Sequence, residues 1–308
     1  MKFKAAAPDI SKFLTRKENG WWVLSFRNYT LNEPTLKAIA CLIPFLPQVE
    51  ELNFSNNGMQ DMVGSCLVFA AFLNPTIKHF FIQGNFAKNA FFETLKINSI
   101  AQPFKMQNMN FMGSISLPNN LESCIKTLEF NKHLTDLNLA GNPFGLKACG
   151  MLSTYMIFHG SNLRELNLSH CNTTMQGTRY IIDALNRNTS IRFFNFGFND
   201  LSSSVYEFSI KLGAIMTRHP NLMHLDCTCT SLKREEVLFI GLALTMSKTM
   251  LSLHLTGNTL PYYDRIFMRS LMAARVGYNF KNDAQKPTIK NNKEFTQIMH
   301  LASGNNYG

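Results

Sequence analysis

The chain of 308 residues exceeds the size at which a single globular core usually closes, and it is 45% hydrophobic with a formal net charge of +10. No apolar run approaches the roughly 18 residues that a spanning helix needs, which excludes a helical membrane span. Seven cysteines, scattered and odd in number, argue against a disulfide framework, so a reducing, intracellular and cytoplasmic setting is expected.

Residues 1–20 mix Lys, Ala and Pro and are expected to form an N-terminal flank or cap. The three alanines after Met1–Lys4 are too short for the apolar core of a secretory leader. From Trp21 onward, short segments alternate apolar and polar residues with the two-residue period of a half-buried strand. The clearest is Leu134, Leu137, Leu139 and Asn142, in which Asn142 closes the strand and its amide can supply both a donor and an acceptor to the turn. The same frame finds Trp21-Leu24-Phe26-Tyr29, Val49-Leu52-Phe54-Asn57 and Ile77-Phe80-Ile82-Asn85 before it. After it come Leu163-Leu166-Leu168-Cys171, Ile191-Phe194-Phe196-Asn199, Leu222-Leu225-Cys227-Thr230 and Met250-Leu253-Leu255-Asn258. A degenerate copy is placed at Ala101-Phe104-Met106-Met109. The spacings of 24 and 33 on either side of it, and Pro103 and Pro118, leave the register across residues 86–131 open to a shift of a few residues.

Helical periods fill the gaps between these segments. They fall at Glu33 to Phe45, Met59 to Leu73, Gln176 to Leu185, Ser203 to Met216 and Arg234 to Met246. In the second of these, Met62, Val63, Cys66, Phe69, Ala70 and Leu73 form a stripe that is expected to face inward. Tyr180, Ile181, Ala184 and Leu185 do the same in the third. Periodicity stops beyond Ala274, and residues 276–308 are expected to be a basic flank with one short helix near Phe295 to Leu301. Residues 1–20 carry five basic and two acidic residues, and residues 261–308 seven and three. Most of the excess positive charge therefore sits toward the two ends of the chain, as a solubilising flank more readily than as a binding site.

The L-x-x-L-x-L-x-x-N/C pattern, recurring mostly every 28 or 29 residues, resembles the leucine-rich repeat. The implied fold is an α/β solenoid, a horseshoe of about nine repeats over residues 21–275 with a parallel concave sheet and convex helices. A full helix per repeat makes it similar to the ribonuclease-inhibitor-like subtype. The phrase Leu251-Ser-Leu-His-Leu-Thr-Gly-Asn258 looks like those of CARMIL-like and ciliary repeat proteins. RanGAP-type GTPase activators and actin-regulatory repeat proteins are the alternatives, the first weakened because such proteins usually carry an acidic tail and residues 261–308 are basic.

In such a solenoid the third, fifth and seventh places of each copy face the concave side. The candidate contact residues are Asn53, Phe81, Lys105, Asn138, Asn167, Asn195, Asp226 and His254 at fifth places, with Phe193, Phe198 and His224 beside them. Asp226 and His254, on neighbouring strands, are expected about 4.8 Å apart. A His-Asp-His cluster near Cys229, Thr228 and Thr256 invites a catalytic or metal role, but an open surface lacks an oxyanion donor and a third or fourth ligand. No phosphate-binding glycine loop, H-E-x-x-H or paired C-x-x-C occurs, so no cofactor and no catalytic residue are assigned. Only Arg27 and Lys105 would project from the concave face, too few for a nucleic-acid groove. The expected function is a non-enzymatic interaction scaffold binding protein partners, as a structural subunit of a large cytoskeletal assembly, ciliary or axonemal.

Overall fold

Nine short strands lie side by side because each carries an inward apolar residue at the same place, fully buried in eight and partly buried at Leu253. Leu24, Leu52, Phe80, Met109, Leu137, Leu166, Phe194, Leu225 and Leu253 are paired across the sheet in one continuous row. The computed structural model describes residues 10–101, 105–202 and 206–261, together with 264 and 266. Among them, β1 (Leu14–Arg16) runs antiparallel to β2 (Trp22–Ser25). The sheet then continues in parallel through β3 (Val49–Asn53), β4 (His79–Phe81), β5 (Asn108–Asn110), β6 (Asp136–Asn138), β7 (Glu165–Asn167), β8 (Phe193–Asn195), β9 (His224–Asp226) and β10 (Ser252–His254).

A helix returns the chain between consecutive strands from β2 to β10: α1 (Glu33–Leu42), α2 (Asp61–Leu73), α3 (Asn89–Ala101), α4 (Pro118–Leu128), α5 (Leu146–Phe158), α6 (Met175–Arg187), α7 (Glu207–Arg218) and α8 (Arg234–Met246). The fold is a leucine-rich repeat solenoid, with one core running its length between sheet and helices. The expected helix at Arg234 to Met246 coincides with α8, and Glu33 to Phe45 becomes α1 plus a 3-10 turn at Ile43–Phe45. The expected helix near Phe295, the basic flank beyond residue 276 and the end of the array lie outside the described residues.

The degenerate fourth copy is corrected. Its strand is β5, and the buried residues are Met106, Met109, Phe111 and Ser114 rather than a set beginning at Ala101. A start at 106 gives spacings of 29 and 28 to the neighbouring starts at 77 and 134. A frame starting at Ala101 puts Met109 at the ninth place, where a thioether cannot donate a hydrogen bond to the turn. Ser114 can: its hydroxyl donates to the Ile82 carbonyl at 2.7 Å.

The inward stripe expected in α2 is also corrected. Val63 and Ala70 are buried, but Met62, Cys66, Phe69 and Leu73 face out, and Tyr180 of α6 is likewise exposed. The packed face of α2 holds Gly64, Ser65, Leu67, Val68 and Ala71 instead. Small residues win there because neighbouring helices stack closely. A Cβ on Gly64 would meet the Phe91 ring of α3 at 2.9 Å, and one on Gly213 the Phe239 ring of α8 at 2.7 Å.

Two side-chain ladders satisfy the backbone where strands and helices end. At the ninth place, Asn142 donates to the carbonyls of Leu139 (2.8 Å) in its own repeat and Phe111 (3.0 Å) in the repeat before, while its Oδ1 accepts from Ile115 N–H. Asn85, Asn199 and Asn258 repeat this arrangement. After the helices, Asn74 and Asn188 donate to carbonyls of the preceding repeat, and Asn131 donates to the Met106 carbonyl at the start of its own. His219 takes the corresponding place after α7, and its Nδ1 accepts from the N–H groups of Asn221 (3.2 Å) and Leu222 (2.9 Å).

At the N-terminal end, Lys17 bridges Glu50 and Glu51 at 3.0 and 2.9 Å, and Phe13 packs on Phe26 with ring centroids 4.4 Å apart. The β1–β2 hairpin thereby covers the first repeat.

Two outcomes follow. Asn142→Ala leaves the buried Ile115 N–H without a partner and takes one hydrogen bond from each of two buried carbonyls, so urea unfolding should show a loss of roughly 3 kcal/mol. His219 needs a neutral ring to accept at Nδ1, and burial, opposed in part by the Asn188 backbone, holds its pKa below the ordinary value. The unfolded chain then binds the proton more readily, so stability should fall as pH drops below about 6.5. His219→Asn, which restores the amide found at Asn188, should flatten that part of a melting-temperature profile taken from pH 7.5 to 5.5.

Candidate interaction surface on the concave sheet

The residues flanking each buried row project from the concave face, since side chains alternate along a strand. The third places run Glu51, His79, Asn108, Asp136, Glu165, Phe193, His224 and Ser252, and the fifth places Asn53, Phe81, Asn110, Asn138, Asn167, Asn195, Asp226 and His254. Ten of the eleven residues expected from sequence therefore lie on this face or its edge. Lys105 does not. It is exposed and precedes β5, and Asn110 holds the place assigned to it, a direct consequence of the shifted fourth copy.

A shallow trough of about 400 Å³ runs across β4 to β10. Phe81, Asn138, Asn167, Phe193, Asn195, His224, Asp226 and His254 line it, as expected, whereas Asn53 lies beyond its end. Asn108, Asn110, Asp136 and Glu165 line it too and were missed. The third place of the same pattern marks Asp136 and Glu165 in the sequence. Phe198 sits after β8 at φ 58° and stacks on His170 at 3.9 Å between ring centroids. Phe193 stacks on His224 at 4.3 Å, with the rings within 10° of parallel.

The fifth-place amides are half committed. Oδ1 of Asn53, Asn110, Asn138, Asn167 and Asn195 accepts the N–H two residues on, turning the chain out of the strand, and Asp226 does the same to Thr228 at 2.8 Å. Their outer atoms remain for a ligand, except that Asn110 donates to Gln83 at 2.9 Å.

Asp136 and Glu165 are register partners on β6 and β7. Burial, and then the Asp136 carboxylate, push the Glu165 carboxyl above its usual range. The Thr135 hydroxyl donates to Asp136. At the far end, His254 Nε2 lies 2.8 Å from Ser252 Oγ, and burial lowers its pKa despite the opposing pull of Asp226. His79 is also lowered, by burial and then by Lys17.

The Ser252–His254 contact has the spacing of a nucleophile and its base, and Asp226 pairs with His254 across the sheet. A working triad needs the carboxylate bound to the other ring nitrogen and an oxyanion donor above the serine. Instead one Asp226 oxygen is held by Thr228, and Ser252 is buried against the sheet. Among the described residues no group of three or more His, Cys, Asp and Glu is placed to hold a metal ion. The arrangement is equipped to bind by charge, amide hydrogen bonds and aromatic faces.

No family model matches the chain. A stretch of 134 residues is 28% identical to the human (Homo sapiens) "NACHT, LRR and PYD domains-containing protein 13", covering 42% of this chain and 12% of that protein. The chain thus spans a small part of that relative. Solved structures with partial likeness include TLR13 in complex with ssRNA13 (TM-score 0.43, 17% identity, 76% of this chain and 32% of that one). Actin-binding site 2 of leiomodin-1 is similar with a TM-score of 0.42 and 13% identity, over 54% of this chain and 92% of that one. An internalin from Listeria monocytogenes reaches a TM-score of 0.41 with 13% identity, over 81% and 77% of the two chains.

The Asp136–Glu165 pair yields a signed expectation. A carboxyl whose folded pKa is raised binds protons better in the native state, so stability declines as pH rises from about 4.5 through the folded pKa. Asp136→Asn removes the neighbouring charge. NMR titration of Glu165 should then show its pKa moving down, and the neutral-pH melting temperature should rise rather than fall.

Proposed function

We propose that the protein is a non-enzymatic scaffold that binds other proteins through both faces of the solenoid. The observation that carries this is the convex surface. Phe45, Met62, Ile97 and Ile100 are 83%, 64%, 63% and 61% exposed, with Phe69 and Leu73 also outward, on the turn after α1 and on α2 and α3, which pack in succession. Further along, Phe158 of α5 and Met246 of α8 are 71% and 73% exposed. Large apolar side chains gathered on adjacent helices mark a surface that a protein partner covers. The concave trough supplies the second contact surface.

The finer reading is a structural subunit of a large cytoskeletal assembly, ciliary or axonemal, located in the cytoplasm. It is supported by the resemblance of the Leu251 to Asn258 phrase to ciliary repeat proteins. A subunit held on two sides in a permanent complex suits a chain with apolar outer helices, since such interfaces resemble a core cut in half. Among the described residues, no helix is long and apolar enough to cross a membrane.

Native purification of the tagged protein followed by mass spectrometry tests the reading. A stable complex should be recovered with the wild type, and Met62→Asp with Phe69→Asp should release it. Both residues are exposed, so the melting temperature of the double variant should stay within a few degrees of the wild type. A wild-type chain that runs alone would sink the scaffold proposal.

A further inference from the structure

The solenoid neutralises its carboxylates at several places outside the trough. Glu50 and Glu51 share Lys17, Glu122 meets Lys147 at 2.6 Å, and Glu207 is held by Arg179 at 2.8 Å and Lys211 at 3.1 Å. Along the trough this stops. From β5 to β10 the third and fifth places hold Asp136, Glu165 and Asp226 and not one Lys or Arg. None of these three forms an ion pair among the described residues. A chain with a net charge of +10 therefore lines this trough with uncompensated negative charge. The like-charged neighbours Asp136 and Glu165 repel each other, and a cation between them would remove that cost.

Spacing narrows what the cation belongs to. Asp136, Glu165, Phe193 and Asp226 occupy four consecutive strands, β6 to β9. With strands about 4.8 Å apart, Asp226, two residues further along its strand, lies about 12 Å along the trough and about 7 Å across it from the midpoint of Asp136 and Glu165, about 14 Å in all. An extended peptide rises about 3.4 Å per residue and turns residues i and i+4 to the same side, which also separates them by about 14 Å. Between the two acidic ends, the Phe193 ring stacked on His224 offers an aromatic face, on which a guanidinium packs well. The outer amides of Asn138, Asn167 and Asn195 run beside this line and can bond a peptide backbone.

We propose that the trough binds an extended, arginine- or lysine-bearing segment of a protein partner. The segment crosses β6 to β9 with one cationic side chain between Asp136 and Glu165 and a second, four residues away, on Asp226. This rests on the scaffold reading and names the chemistry of the partner on the concave side. The net positive charge of the whole chain makes non-specific capture of a cationic peptide unfavourable, so binding would report the local site.

The test is fluorescence anisotropy with a short labelled serine–alanine peptide carrying arginines at positions i and i+4. Controls are the same peptide with glutamates in their place and one with the arginines adjacent. The wild type should bind the spaced arginine peptide at low salt and lose it as salt rises. The adjacent-arginine peptide should bind several-fold more weakly, and the glutamate peptide not at all. Asp136→Asn combined with Glu165→Gln should weaken binding at least tenfold with no fall in melting temperature, and Asp226→Asn should weaken it separately. Absence of binding, equal binding of the arginine and glutamate peptides, or equal binding by wild type and double variant would overturn the inference. So would calcium or manganese binding to the pair in place of the peptide. The Met62→Asp and Phe69→Asp variant, altered on the opposite face, should bind the peptide normally, which separates this result from the fate of the convex surface.

Discussion

The ninth-place asparagine is the interaction on which the array depends. A strand of three residues has few backbone hydrogen bonds of its own, and each turn after it buries carbonyls that no neighbouring strand reaches. One amide solves this in two directions, because its donor serves the carbonyls behind and its acceptor the N–H groups of the repeat before. Where the asparagine is replaced, the substitute still donates: the Ser114 hydroxyl to Ile82, the Thr230 hydroxyl to Cys227 and the Cys171 thiol to Leu139. The acceptor half is lost or weakened at these positions. At the N-terminal end the ladder runs out, and Asn57 keeps its donor bonds but has no partner for its buried Oδ1.

That dependence explains why the ends need separate devices. An interior repeat is held by a neighbour on each side, whereas the first is held on one side only. The β1–β2 hairpin, Lys17 between two glutamates and the Phe13–Phe26 contact take the place of the missing repeat. Lys17 also illustrates how the charges are placed. Burial costs it stability, and the two carboxylates more than offset that cost, raising its pKa. Among the described residues, the trough carboxylates have no such cationic partner.

Fold and frame were legible in the sequence because burial imposes an invariant spacing on eight of the nine strands. The ninth, β5, misled through its methionines. Met106 and Met109 are three residues apart, so they fit the frame in two ways, and only hydrogen-bonding capacity at the last place distinguishes them. Lys105 was carried to the concave face by that single shift. The faces of α2 were not legible for a different reason. The helix is apolar nearly all round, so a three-and-four period exists on both sides, and hydrophobicity alone cannot say which side meets the core. Close stacking of helices decides it, and the sign was the small residues Gly64, Ser65 and Ala71 rather than the large ones. The sheet rows did place Phe193, His224, Asp226 and His254 together. Pairing of Asp136 with Glu165 was equally accessible from the third places.

The two proposed contact surfaces are separated along the array as well as across it. The most exposed apolar cluster lies on α1 to α3, while the carboxylates and Phe193 lie on β6 to β9. Each repeat touches only its neighbours, so strain introduced at one surface has to pass through several repeats of hydrogen-bonded ladder to reach the other. Substitutions at the two sites should therefore behave independently in stability and in binding. In the proposed reading, a rigid array of this kind holds two partners at a fixed distance without coupling their affinities, which is what a structural subunit requires and what an allosteric switch would avoid.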